Sequence, residues 1–199
     1  MITDDKIRCG WCHSSALYMK YHDEEWGVPV YDDTTLFEFL LLETFQAGLS
    51  WITILNKREN FKATFDQFDY KKIAQYSDDK IQELLQDAGI IRNKLKVYSA
   101  VTNAQNFITI QEEFGSFSQY IWAFVNHTPI NNSPRNLKEV PATSPISDAI
   151  SKDLKKRGFK FVGSTVMYAF MQATGMVDDH VENCWKGNLL PQMDVKSPD

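Results

Sequence analysis

Apolar residues recur at the three-to-four-residue spacing of a helix along almost the whole chain, and no convincing period-two run of β-branched residues interrupts them. Stripes of that kind are buried by packing helix on helix, so an all-α fold is expected. The periodicity predicts helices over 14–24, 33–46, 51–57, 58–65, 69–75, 78–87, 93–111, 116–124, 146–157 and 161–174. Capping residues mark several starts: Asp33 before Thr34-Thr35-Leu36, Ser77 before Asp78-Asp79, and Ser147 or Asp148 before Ala149-Ile150. The stretch from Pro129 to Pro145, with Asn131, Asn132, Ser133 and Pro134, reads as a loop or linker. Periodicity fades after Gly187, and residues 188–199 are expected to form a disordered tail.

A chain of 199 residues, 43% of them hydrophobic, can fill one core or two closely packed lobes. The first residues, Met1-Ile2-Thr3-Asp4-Asp5, lack the basic start and apolar run of a signal peptide. No apolar stretch reaches the roughly 20 residues of a membrane span. A soluble, cytoplasmic protein without a membrane partner is therefore expected. Three cysteines are an odd number, which points to metal binding or packing rather than to a disulfide framework.

The net charge of −5 does not favour nucleic-acid binding, because affinity for phosphate rests on Lys and Arg displacing counterions. The distribution is more permissive: Lys152, Lys155, Lys156, Arg157 and Lys160 fall within nine residues. Such a footprint can dock DNA on an acidic protein, although it also describes an ordinary solvated helix face.

In the middle of the chain, Asp87-Ala88-Gly89-Ile90-Ile91-Arg92-Asn93 separates two amphipathic helices and predicts an αα-hairpin. The start of the second helix can offer backbone N–H groups to a DNA phosphate, with Arg92, Asn93 and Lys94 beside it. Gly89 is equally an ordinary helix stop.

A second constellation spans the chain. Cys9 and His22 lie thirteen positions apart near the start, and His180 and Cys184, four apart near the end, can share one helical face. Two thiolates and two imidazoles satisfy tetrahedral zinc and leave no position open for water. Such a centre would be structural and would tie the two ends together. Cys12, which makes a C-x-x-C pair with Cys9, and His13 are competing ligands on spacing alone.

The run from Leu36 to Trp51 is the most apolar in the chain, and it carries a carboxylate. Positions 36, 39, 40, 43 and 47 share a helix face, so Glu43 stands on a stripe made by Leu36, Phe39, Leu40 and Ala47. Burying it there is unfavourable unless it is paired, hydrogen-bonded or protonated. A pocket for a cation or an amine donor would account for it. The nearby Trp11, Tyr18, Tyr21, Trp26 and Trp51 are flat enough to sandwich an extruded base.

These motifs coincide in one family. Arg8-Cys9-Gly10-Trp11, Tyr21-His22-Asp23-Glu24-Glu25-Trp26-Gly27-Val28-Pro29, Leu42-Glu43, Gln46-Ala47-Gly48-Leu49-Ser50-Trp51-Ile52-Thr53, Lys156-Arg157-Gly158-Phe159-Lys160-Phe161-Val162-Gly163 and Asp179-His180 with Cys184 resemble the bacterial 3-methyladenine DNA glycosylase I family. The resemblance implies one helix-hairpin-helix glycosylase domain over 1–187, with a hairpin lobe over about 33–125. A zinc-stapled lobe would be built from about 1–32 and 126–187. It implies one structural Zn2+ on Cys9, His22, His180 and Cys184, leaving Cys12 outside. Glu43 takes the position of the base-recognising carboxylate and catalytic residue, Tyr21 a second pocket contact and Trp51 a stacking wall, with Trp11 and Tyr18 completing the pocket. Gly48 and Leu49 fall in the loop that enters the duplex, and Gly89 to Lys94 in the phosphate-binding hairpin. The implied partners are double-stranded DNA containing alkylated bases and the released 3-methyladenine, bound by a monomer.

Most helix-hairpin-helix glycosylases carry a catalytic Asp shortly after the hairpin. Here the helix continues from Asn93 through Ala104 without an acid, similar to what this family shows. Methylation at N3 makes the adenine cationic and already a good leaving group. The expected activity is monofunctional hydrolysis without lyase chemistry. The competing readings are a catalytically silent damage binder on the same scaffold and a zinc hydrolase, the latter disfavoured by a four-ligand centre.

Overall fold

The computed structural model describes residues 5–187, and the segment 188–199, expected to be a tail, lies outside them. Its first helices are Ala16–Glu24 (α1), Asp33–Gln46 (α2), Trp51–Leu55 (α3), Arg58–Thr64 (α4) and Tyr70–Ile73 (α5). They are followed by Asp78–Gln86 (α6), Lys94–Phe114 (α7), Phe117–Trp122 (α8), Pro145–Lys156 (α9) and Ser164–Ala173 (α10). Nine of the fourteen residues of α2 are buried, so this helix is apolar all round and runs through the core. It packs against α3, α7, α8 and α10. Aromatic contacts fill the interface with α7 and its neighbours: Phe37 meets Phe107 edge-on at 5.2 Å, and Phe107 stacks on Phe117 at 4.1 Å.

The fold is mostly rather than wholly helical. Ile130–Asn131 (β1) pairs in parallel with Val177–Asp178 (β2), joining the stretch read as a loop to the segment after α10. Two residues per strand are too few to show alternation, so the pattern carried no signal for them.

Helix starts differ in instructive ways. Asp32, not Asp33, caps α2, accepting from the Thr35 N–H at 2.8 Å. Asp33 reaches instead to the start of α8 and accepts from the backbone of Phe117 and Ser118 at 2.9 and 2.8 Å. The α9 cap is Ser144, which forms a capping box with Ser147 and places Pro145 first in the helix. The predicted 14–24 helix begins only at Ala16, capped by Ser15, while Ser14 ends a preceding 3-10 turn, Gly10–Ser14. The predicted 161–174 helix begins only at Ser164, because Phe161 sits at φ 57.

Gly89 is not a left-handed helix stop, since it is absent from the positive-φ glycines. A Cβ there would lie 1.8 Å from Asn60 Nδ2 beside the hairpin, so the exposed Asn60 side chain would have to move to admit one. The ends of the described chain come together: the Trp185 N–H donates to the Ile7 carbonyl at 2.8 Å and the Glu182 N–H to the Pro134 carbonyl at 3.0 Å. Among the described residues, no helix is long and apolar enough to cross a membrane.

Candidate base pocket and metal centre

Glu43 sits in the last turns of α2 with 3% of its surface exposed, and its Oε2 has no hydrogen-bond partner. It lines a cavity of about 360 Å3 with Trp11, Tyr18, Tyr21, Trp26 and Trp51, in the size range of small-molecule sites. Gln46, Leu137, Val140, Ala169 and Gln172 complete the lining. The Trp51 Nε1–H is buried without an acceptor as well. Native interiors leave few polar atoms unpaired, so a carboxyl oxygen and an indole N–H left open in one cavity suit a flat ligand with a polar edge. Burial pushes Glu43 up to about 8, favouring its neutral form well above the usual carboxylate range. Burial, and then the nearby Glu43, hold the Tyr21 phenol well above its usual range.

Local structure places these groups. Ser15 accepts from the Tyr18 N–H at 3.1 Å and starts α1 so that Tyr18 and Tyr21, three apart, share a face. The rings then interlock: Trp11 lies 4.8 Å from Tyr18 and 5.0 Å from Trp26, and Tyr21 lies 5.4 Å from Trp51. Trp51 opens α3, immediately after the turn that follows α2. That turn is held from beneath by Lys96, whose buried ammonium donates to the carbonyls of Phe45 at 2.8 Å and Ala47 at 2.6 Å. A cation at a helix C-terminus satisfies carbonyls that have no intrahelical partner. Gly48 follows at φ +81, and Leu49 is 42% exposed. A second cavity of about 270 Å3 runs from Gly48 and Leu49 to Glu43 and Gln46, bounded by α10 residues Thr165, Val166 and Ala169.

Next to this pocket, the ligand atoms of Cys9, His22 and Cys184 lie within 4.8 Å of one another, all buried. His22 Nδ1 is 2.9 Å from Asp23 Oδ1, and His180 Nδ1 is 2.6 Å from Asp178 Oδ1. A carboxylate can only accept, so each Nδ1 carries the proton and each Nε2 keeps its lone pair. His22 Nε2 is 3.4 Å from the Cys184 sulfur, and His180 Nε2 is buried without a partner. The rings of His22 and His180 stand edge to face at 5.0 Å. The hydrogen bond between the two thiols lowers Cys184, while the same hydrogen bond and burial push Cys9 up. Two sulfurs and one oriented imidazole with a carboxylate behind its ring could hold a metal ion, and His180, which the sequence reading placed with them, falls outside that group of three. Cys12 is not in this group, and its thiol lies 3.2 Å from the Cys9 carbonyl in the 3-10 turn; His13 is exposed.

The other expected contacts lie elsewhere. Arg92, Asn93 and Lys94 are exposed on the hairpin, with the Asn93 side chain capping α7 through the Lys96 N–H at 3.2 Å. The Gly89 N–H is already taken by Asp87 Oδ1 at 2.7 Å, so it is not offered to a phosphate. In the basic run, Arg157 is engaged by Asp153 and Glu113 at 2.7 and 2.6 Å, whereas Lys152, Lys155, Lys156 and Lys160 are exposed. Trp26 joins the pocket as one of the aromatics able to sandwich a base, whereas Gln46 and Gln172 are additions of the structure. Trp26 and Gln46 stand inside the motifs quoted above, but Gln172 is an unmarked polar residue of an amphipathic helix.

Comparison with known proteins gives one consistent answer. Residues 11–187 match the family model described as methyladenine glycosylase. The chain is 50% identical over 177 residues to DNA-3-methyladenine glycosylase 1 of Escherichia coli (strain K12), covering 89% of this chain and 95% of that protein. A crystal structure of 3-methyladenine DNA glycosylase I superposes with a TM-score of 0.88 at 46% identity, covering 90% and 98% of the two chains. The 3-methyladenine DNA glycosylase I of Staphylococcus aureus, solved to explain 3-methyladenine recognition, gives 0.88 at 34% identity, covering 90% and 96%. With its pocket and its helices falling inside the matched region, this chain belongs to the methyladenine glycosylase family.

Proposed function

We propose that this protein is a DNA repair enzyme that hydrolyses the N-glycosidic bond of 3-methyladenine in alkylated double-stranded DNA. The observation that carries the reading is the Glu43 carboxyl group, buried, unpartnered and facing a cavity walled by aromatic rings. The family and the relatives named above support the same activity.

In this reading the lesion leaves the base stack, at a penalty of a few kcal/mol that is smaller for a damaged base, and enters the cavity. Leu49 on the Gly48 turn fills the duplex behind it, and the hairpin over Gly89 to Lys94 grips the backbone as a helix-hairpin-helix, with Arg92 and Lys94 supplying charge. Tyr21, Trp51, Trp11 and Tyr18 stack around the base, and a cationic ring gains about 0.5–2 kcal/mol from such faces. Glu43 accepts hydrogen bonds from the adenine edge, and the approaching positive charge favours its ionised form. The bond from C1′ to the base breaks with its electron pair passing to the base, which cancels the base's charge. Water adds to C1′ and gives up a proton, so no lysine nucleophile and no strand cleavage are involved. A structural Zn2+ on Cys9, His22, His180 and Cys184 staples the N- and C-terminal segments into one lobe packed against the hairpin lobe. The enzyme works as a cytoplasmic monomer.

The deciding measurement is chromatography of bases released from methylated duplex DNA. Release of free 3-methyladenine is expected; tight binding of the DNA with no base released would make the protein a silent damage binder instead.

A further inference from the structure

The pocket contains a polar side chain to which the reading above gives no task. Gln172, in the last turn of α10, lines the same cavity as Glu43. Its amide nitrogen is committed: Nε2 donates to Asp179 Oδ2 at 2.8 Å. Asp179 is 1% exposed and accepts two further hydrogen bonds, from the Tyr168 hydroxyl at 2.8 Å and from Asn132 Nδ2 at 2.7 Å. A carboxylate accepts only, so this buried cluster fixes which end of the Gln172 amide faces away from it. The end left for a ligand is the carbonyl oxygen. Two neighbouring aspartates thus serve different groups, Asp178 orienting His180 and Asp179 orienting Gln172.

The exocyclic amine of adenine carries two hydrogens on opposite sides, and two acceptors are needed to satisfy both. We infer that Gln172 is a specificity-determining residue, its Oε1 accepting one N6 hydrogen while Glu43 accepts from the other side of the adenine edge, and that Asp179 is a positioning residue that keeps this oxygen towards the base. A purine bearing a carbonyl at that position would set oxygen against oxygen. An unpaired buried polar group is how a site rejects such an analogue. This inference rests on the proposed 3-methyladenine activity.

The test is binding of two free bases, 3-methyladenine and 3-methylpurine, which lacks the amine, followed by quenching of tryptophan fluorescence. Gln172→Leu is expected to weaken 3-methyladenine about tenfold or more while changing 3-methylpurine and duplex DNA containing an abasic-site analogue by less than about twofold. Asp179→Asn, with folding checked by circular dichroism, is expected to shift the ratio of the two affinities in the same direction. Equal loss for both bases in Gln172→Leu would mean a merely structural role and would overturn the inference, as would unchanged affinity for 3-methyladenine. If the parental protein released no 3-methyladenine from methylated DNA, the underlying reading would fall separately.

Discussion

Trp26 meets His180 edge-on, with ring centroids 4.5 Å apart, and the same indole lines the cavity that holds Glu43. One wall of the base pocket is therefore the outer face of the cysteine–histidine cluster. Loss of the metal should be felt in the pocket as well as in the packing of the chain ends.

Elemental analysis of freshly purified protein is expected to find one zinc per chain. Cys12→Ala should keep it, because that thiol is turned to the Cys9 carbonyl. His22→Ala should lose it and weaken 3-methyladenine binding as Trp26 loosens. A stoichiometry near zero in the parental protein, or metal lost from the Cys12 variant and kept in the His22 one, would reverse the assignment.

Glu43→Gln should separate activity from stability. Removing the carboxylate is expected to lower 3-methyladenine release by about a hundredfold or more, as losing a charged group from a desolvated site does. The folded protein holds the Glu43 proton up to about pH 8, against an ordinary 4.5, so it binds more protons than the unfolded chain between those values. Stability contributed by the neutral acid is full below 4.5 and is lost as pH rises towards 8. The variant should therefore lie within about 1 kcal/mol of the parent at pH 5 and exceed it at pH 8 by about 4 kcal/mol, read from denaturant unfolding at both values. Parallel stability curves would mean that Glu43 is ionised throughout.

Gly27→Ala is expected to destabilise strongly. Gly27 holds φ +76, and a Cβ would come within 2.7 Å of His180 Cε1. The ring cannot swing aside without leaving Asp178, so both backbone strain and a clash apply, for a loss of about 2–4 kcal/mol. Zinc content should fall with it, whereas Gly48→Ala, with open space around its Cβ, should bear only the left-handed strain of about 1 kcal/mol. Equal melting temperatures for the two variants would refute the difference.

Lys96→Met leaves the carbonyls of Phe45 and Ala47 without their cation. A loss of about 2–3 kcal/mol in stability is expected, with weaker binding to duplex DNA because the Gly48–Leu49 turn is no longer held. Free 3-methyladenine should bind within about threefold of the parental affinity. Undiminished DNA binding would show that the turn keeps its place without the lysine.

Borohydride added during turnover should trap no covalent protein–DNA adduct, since the proposed hydrolysis passes through no imine. An adduct abolished by Lys96→Met would assign lyase chemistry to that amine.

Much of this arrangement was legible in the residues themselves. The helices α2 and α7 followed from periodicity, and Glu43 stood out because a carboxylate in an apolar stripe has few explanations. The cluster Cys9, His22 and Cys184 was within reach of spacing, but Cys12 fitted equally well until the 3-10 turn showed where its thiol points. What could not be read is what depends on distant partners. Gly89 lies against Asn60, Asp33 serves α8 rather than its own helix, and Gln172 acquires a defined orientation only from Asp179. The first two pairs are distant in sequence and the third spans the end of α10, and no local propensity encodes them.

The joining of Ile7 to Trp185, and of Cys9 to Cys184 across His22, has a bearing on how the molecule is made. During synthesis the N-terminal strap carrying Trp11 must wait for Trp185 and Cys184 to leave the ribosome before it meets them. The hairpin and its central helices can consolidate early, from neighbours already present. The cavity for the base comes last, so a truncated or stalled chain would have its hairpin before it has a place to put the damage.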